Sequence, residues 1–297
     1  MNIRDLEYFI TLVELKNFSR TAKHFHVSQP TITLALKRLE NEMGAQLIIR
    51  NRYQRLIVTD SGRQLLKHAK QIVKSSQISK KEIANLKRKK LRIGLPPIIE
   101  AEYFAPIAKR LKDNGLLQSI ETFEFGSENL LKQLKQGKID FAFLGTLNSL
   151  NDNDIDLHEF ARKPFKIFVS KNNRLNNNHN LHFKALKDYD FVIFKNGFIQ
   201  NEALKMLAQR NKFTPKIAFQ SYTTNSLLNM IADDVGIGFF MSSLTVDPNR
   251  ITKLALKDHD VPQFVMSMAT RHLQVFNPIQ RKIIDIIKET IGNINEN

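Results

Sequence analysis

Apolar positions recur at helical spacing through the first third of the chain. Leu6, Phe9, Ile10 and Val13 stand at i, i+3, i+4 and i+7, which predicts a first helix with one apolar face. Asn17 is placed to end it, and Ser19 to cap a short second helix reaching about Phe25. Val27-Ser28 reads as the turn into a third helix. Ser28 is its N-cap, and Pro30 sits in the first turn, where a missing N–H costs little. Ile32, Ala35, Leu36, Leu39 and Met43 would be that helix's buried face, with Gly44 ending it. Two β-prone runs, Leu47-Ile48-Ile49 and Leu56-Ile57-Val58, predict a hairpin. A long helix follows, from about Ser61 to Lys90. Its Leu65, Ala69, Ile72, Ser76, Ser79, Ile83 and Leu86 alternate by four and three, a heptad seam expected to bury itself between copies of the chain.

The pattern changes at Leu91. Leu91, Ile93 and Leu95 alternate with Arg92 and Gly94 in a strand, and a helix with Phe104, Ile107, Ala108 and Leu111 on one face follows. Strands near Glu121–Phe125 and Ile139–Leu144 flank a helix ending at Gly137. A second set of strands, at Lys166–Val169, Asp190–Phe194, Lys216–Phe219 and Ile237–Phe240, alternates with helices around Glu202–Arg210 and Thr223–Asp234. Phe264–Ala269 reads as a strand returning to the first set, and a last helix places Ile279, Ile283, Ile287 and Ile291 on one side. Alternating strands and helices predict an α/β region. The segments are 1–59, 60–90 and 91–297, the last divided into lobes 91–162 plus 267–297 and 163–266.

Charge sharpens this division. The 297 residues carry 45 Lys plus Arg against 29 Asp plus Glu, and residues 1–90 alone hold 19 of the former and 7 of the latter. A basic segment on a near-balanced body suggests a polyanionic partner. The absence of cysteine excludes a disulfide scaffold, Cys-ligated zinc, an iron–sulfur cluster and a thiol nucleophile. No apolar run approaches the ~18 residues of a membrane helix, so no membrane partner and a cytoplasmic location are expected.

Short second and third helices across a tight turn are helix-turn-helix geometry, whose second member enters a DNA major groove. Gln29, Thr33 and Lys37 line the outward face at i, i+4 and i+8, with Pro30, Leu34 and Arg38 beside them. Gln can read adenine, Thr can touch a thymine methyl, and Lys or Arg can reach guanine or phosphate. Ser28, Thr31 and Arg38 are expected to help fix the pose. A plain three-helix bundle would share this pattern but not the hairpin that follows, whose Arg50, Arg52 and Arg55 interleave with Tyr53 and suit phosphates or the minor groove.

Phe9, Phe18-Ser19, Ala22, the run Val27–Thr33, Leu39-Glu40, Leu47, Arg50 and Thr59-Asp60-Ser61-Gly62 resemble the N-terminal signature of LysR-type transcriptional regulators. The chain departs from it at Leu34, where the family often has arginine, at Ile48 and at Thr21. The resemblance implies a winged helix-turn-helix that binds double-stranded operator DNA. It also implies a dimerisation helix making a homodimer or homotetramer, and a two-lobed, periplasmic-binding-protein-like α/β domain that binds a small-molecule effector. RNA polymerase is the implied protein partner, and the expected role is activation. The runs Asn2–Phe9, Leu12–Phe18 and Leu91–Ile99 are similar to the malolactic-fermentation branch of the family, which implies L-malate, a small anionic metabolite, as effector.

Ligands of α/β lobes sit at the carboxyl ends of strands. The effector residues expected there are Pro97 and Ile98, Phe125 and Ser127, and Gly145 and Thr146. Asn196, Gly197, Phe198 and Thr223 would face them from the second lobe. No cofactor or metal is expected. There is no Walker loop, G-x-G-x-x-G or nucleophile elbow, and His179 and His182 lack the Glu of a zinc-protease helix. An enzyme is therefore not expected. A periplasmic solute-binding protein would share the lobes but has no use for a basic helix-turn-helix.

Overall fold

Helix α1 (Ile3–Leu15) opens on Asn2, whose side chain accepts the Arg4 N–H at 2.9 Å, and ends at Lys16 in the left-handed region. The next cap is Asn17. Its Oδ1 accepts the Arg20 N–H at 2.9 Å, so α2 (Phe18–His24) begins before Ser19 and Ser19 lies inside it. An Asn carbonyl one turn upstream reaches an orphan N–H that a Ser at 19 would leave unmet. Helix α3 (Gln29–Met43) starts after Ser28 and closes at Gly44, where φ is +64°. The short strands β1 (Ile48–Arg50) and β2 (Leu56–Val58) pair antiparallel, and α4 (Asp60–Leu86) follows. The computed structural model describes residues 1–50, 56–147, 152–178, 180–259 and 261–296, without the side chains of Arg50, Asn295 and Glu296.

Two compact units divide the chain, Met1–Asn85 and Leu86–Asn297. The first is built on Leu6, Phe9, Leu12, Ala22, Ile32, Ala35, Leu36, Leu39 and Leu47. Each large side chain buried there contributes roughly 1.5–3 kcal/mol. Met43, expected inside, is 41 % exposed at the end of α3. Glu40 ties hairpin to helix, its Oε1 accepting the N–H groups of Leu47 (2.9 Å) and Ile48 (3.3 Å). Gly62 explains the Thr59–Gly62 motif, since a Cβ there would stand 2.1 Å from the Leu47 carbonyl oxygen.

The heptad seam divides in two. Ala69 and Val73 are buried in the first unit's own core, with Leu65 and Ile72 packed against it, while Ile83 is 64 % exposed. The first half of α4 therefore is a core face, contrary to the expectation of a seam reserved for a second copy. The helix stops at Leu86, so the basic run Lys87–Lys90 directly follows its C-terminus, where the dipole favours positive charge.

The second unit runs β3 (Leu91–Leu95), α5 (Pro97–Ile99), a π-helical turn at Glu100–Phe104, α6 (Ala105–Asp113), β4 (Ile120–Glu124), α7 (Ser127–Lys135) and β5 (Phe141–Thr146). It continues through β6 (Ile155–Ser170), β7 (Asp190–Phe194), α8 (Ile199–Arg210), β8 (Lys216–Ser221), α9 (Thr224–Ala232), β9 (Gly238–Met241), β10 (Ile251–Leu254), β11 (Gln263–Arg271) and α10 (Pro278–Glu296). The main sheet has the order β10-β6-β11-β5-β3-β4, with β9 also on β6, and β7 pairs β8 separately. β3 is parallel to β4 and β5, whereas β11 is antiparallel to β5 and β6. The long β6 joins the two lobes. Its first half, to Pro164, pairs with β11, and from Phe165 it pairs with β9 and β10. The sequence predicts strand only at 166–169, because the mixed polar run 155–163 shows no clean alternation.

Arg92, read as an outward position of β3, is buried. Its guanidinium forks onto Asp140 at 2.9 and 2.8 Å and donates to the Gly137 carbonyl at 3.1 Å. The Gly137-x-x-Asp140 motif is thus a socket for this buried ion pair. Arg271 completes it, donating to the carbonyls of Leu134 and Ile139. In α10, Ile283, Ile287 and Ile291 are buried as expected, but Ile279 in its first turn is 39 % exposed. Among the described residues, no helix is long and apolar enough to cross a membrane.

Candidate functional site

The third helix presents its polar face to solvent. Ser28, Gln29, Pro30, Thr33 and Lys37 are exposed and Thr31 is half-buried, while Ile32, Ala35, Leu36 and Leu39 face the core. Leu34 is also outward, 56 % exposed. Local hydrogen bonds set the rotamers. The Ser19 hydroxyl donates to Gln29 Oε1 at 3.1 Å, leaving the Gln29 amide N–H groups to face outward chemistry. Thr33 donates to the Gln29 carbonyl at 3.3 Å, and the Ser28 and Thr31 hydroxyls bond each other at 2.9 Å.

Arg38, expected to help fix the pose on DNA, has an exposed side chain that is also held from within the protein. Its guanidinium grips Asp5 of α1 in a bidentate pair, 2.9 and 2.6 Å, and Asp5 is only 3 % exposed. Two of its nitrogens are thereby occupied, which holds α3 at a fixed angle on α1. Of the expected wing arginines, the Arg50 side chain, Arg52 and Arg55 lie outside the described residues, as does Tyr53.

In the second unit, strand-end loops converge. Pro97, Phe125, Asn196, Gly197, Phe198 and Thr223 line one cavity of about 660 Å³, together with Glu124, Gly126, Glu128, Asn129, Lys132 and Tyr222. Ser127, Gly145 and Thr146 line a smaller one of about 170 Å³, which shares Gly197 and Glu128 with the first. Ile98 lines neither; it is buried in the core at 1 % exposure. The larger volume lies within the usual range for small-molecule sites, roughly 300–1,000 Å³.

Backbone chemistry shapes these walls. The Ser127 hydroxyl oxygen accepts the Gly145 N–H at 2.8 Å, pinning the start of α7 to the end of β5. Gly126 and Gly197 meet closely, and a Cβ on Gly126 would fall 2.0 Å from the Gly197 oxygen. Gly197 itself has φ +95°. On the far wall Phe198 stacks on Phe194 at 4.5 Å, and the Lys195 ammonium sits 4.8 Å over the Tyr222 ring. The charges differ from what an anionic ligand asks for. Glu124, Glu128 and Lys132 line the larger cavity, with the Lys195 ammonium on its Tyr222 wall, and Glu128 and Glu202 line the smaller.

Both units match family models. Residues 3–63 match the bacterial regulatory helix-turn-helix protein, lysR family, and residues 84–292 match the LysR substrate binding domain. The chain belongs to the LysR family. It is a LysR-type DNA-binding transcriptional regulator with a winged helix-turn-helix and a small-molecule effector domain. The malolactic fermentation system transcriptional activator of Lactococcus lactis subsp. lactis (strain IL1403) is 26 % identical over 291 residues, 97 % of this chain and 98 % of that protein. Among solved structures, full-length BenM superposes with a TM-score of 0.55 at 21 % identity, covering 99 % of this chain and 96 % of that one. HinK, a LysR family transcriptional regulator from Pseudomonas aeruginosa, gives 0.54 at 17 % identity and 99 % of both chains. These structures share the regulator's fold.

Sequence reasoning missed several residues of this LysR-type regulator. Asp5 and Ser19 carry no signal of their own, because their partners Arg38 and Gln29 are reached only after folding. Glu124, Lys132 and Tyr222 adjoin residues that were expected in the cavity, whereas Gly126 and Glu128 fall within the stretch 125–128 to which the end of β4 points. Extending each strand-end loop by one helical turn would have found most of them.

Proposed function

We propose that the regulator reads a double-stranded operator with Gln29, Thr33 and Lys37, and that Arg50, Arg52 and Arg55 of the wing hold the flanking backbone. The observation that carries this reading is the exposed polar face of α3 above a buried Ile32–Leu39 stripe, with Gln29 already oriented by Ser19. The protein acts by binding and switching rather than by making bonds, in the cytoplasm, as an activator that engages RNA polymerase. The exposed second half of α4, with Ile83 and Leu86, supports a homodimer or homotetramer. An effector in the strand-end cavity shifts the assembly only as far as its affinity differs between two arrangements, and coupling on the order of 1–3 kcal/mol suffices for regulation.

The experiment is footprinting on the promoter of the regulator's own locus. Gln29→Ala should relax specificity locally, and a triple wing-arginine variant should weaken all sequences and flatten the salt dependence. Unchanged footprints for both would refute the assignment. L-malate is a second reading, favoured by the full-length similarity to the malolactic activator. It requires Lys132 and the backbone N–H groups at the start of α7 to hold a carboxylate. A change in operator affinity or bending on adding L-malate would support it.

A further inference from the structure

We infer that the strand-end cavity takes an organic cation, a small molecule bearing a primary amine or guanidinium. This rests on the reading of the cavity as the effector site and concerns the charge of what enters it. The chain as a whole has a net charge of +16, so an acidic concavity is not its background. Yet three carboxylates, Glu124, Glu128 and Glu202, line the two adjoining cavities against one lining ammonium, Lys132, and a second, that of Lys195, which is packed on the Tyr222 ring. No arginine is among the described lining residues. Glu100, just after β3, stands in the same field; burial first and then the charge of Glu124 raise its carboxyl above the usual range. A cationic ligand supplies positive charge to this carboxylate-rich lining, and a dicarboxylate adds to its negative charge.

The aromatic wall points the same way by a separate route. Phe198 and Tyr222 line the larger cavity beside Phe125, which is 43 % exposed. One ammonium already rests on this wall, that of Lys195, 4.8 Å from the centre of the Tyr222 ring. Aromatic faces flanked by carboxylates are the combination that holds alkylammonium and guanidinium groups, through ring electrostatics and charge together. An anion there would meet the negative faces of the rings as well as the glutamates.

Isothermal titration of the full-length protein, without DNA, tests the sign. The probes are putrescine and agmatine on one side and L-malate and succinate on the other. Putrescine or agmatine should bind saturably, and Glu124→Gln with Glu128→Gln should weaken that binding about tenfold or more. Lys132→Ala should not weaken it. Circular dichroism of each variant checks folding, and a single Glu128→Gln replaces the pair should the double variant fail to fold. Binding of L-malate that Lys132→Ala abolishes, or saturable binding of neither cation, would overturn the inference. Footprinting the same preparations keeps the readings apart: a footprint with no cation binding sinks this inference alone, and a lost footprint sinks the regulator reading.

Discussion

The helix-turn-helix and the strand-end cavity place their functional residues by opposite means. In the first, Gln29, Thr33 and Lys37 stand four residues apart on one helix, and their common face follows from helical geometry before any tertiary contact forms. In the second, Pro97, Gly126, Gly197 and Thr223 are far apart in the chain and meet only because β3, β4, β7 and β8 end together. The two also differ in charge. The basic segment offers ammonium and guanidinium groups to a polyanion, and the cavity of the basic chain presents glutamates. A ligand's sign is thus set locally, by which side chains a fold gathers, and net charge speaks only for the partner that meets the outer surface.

The contrast can be broken first at its most buried point. Arg92→Met leaves Asp140 without its bidentate partner in the floor of the sheet. Urea unfolding of the full chain should show a loss of about 3–5 kcal/mol, the usual cost of orphaning one member of a buried pair. A loss under about 1 kcal/mol would mean that Arg271 alone satisfies the carboxylate.

On the helical side the largest expected effect is that of Gln29→Ala. It should cost roughly 1–3 kcal/mol of discrimination at one base pair while leaving the melting temperature unchanged. Binding-site selection with the variant measures this directly. Asp5→Asn should act more mildly and differently. It frees Arg38 and loosens α3 on α1, so operator affinity should fall for all sequences alike, without a change in preferred bases. A base-specific change would instead mean that Arg38 reads DNA itself.

The smallest effect sharpens the α/β side. Burial is the main reason that the carboxyl of Glu102 titrates above the usual carboxylate range, and the hydrogen bond from Ser243 offsets it in part. A carboxyl whose pKa is raised by folding holds its proton more tightly in the folded state. Its contribution to stability is therefore full below the ordinary carboxyl pKa and is lost as pH rises through the raised one. Glu102→Gln should accordingly raise the melting temperature slightly at neutral pH and flatten its rise on mild acidification. Thermal melts between pH 4 and 7, a span set by ordinary carboxyl values of about 4, check the sign.

Much of the molecule was legible in its sequence, for physical reasons. Apolar spacing marked every helix of the first unit, and the Thr59–Gly62 run marked a close crossing that only Gly62 permits. The apolar runs of β5 and β7 declared buried strands, because a strand covered on both faces has no polar alternation to show. The first half of β6 was hidden for the converse reason: it pairs along one edge only, with β11, and carries Asp156, His158, Glu159 and Arg162, so neither an apolar run nor a clean alternation marks it. What the sequence determined by itself is the set of local preferences: caps, periods, turns and the outward face of α3. Tertiary structure alone decided that Arg38 would grip Asp5, that the first half of α4 would join its own domain's core, and that Glu124, Glu128 and Glu202 would line two adjoining cavities. These are long-range meetings, and their energies come from burial and pairing between segments whose sequences carry no record of one another.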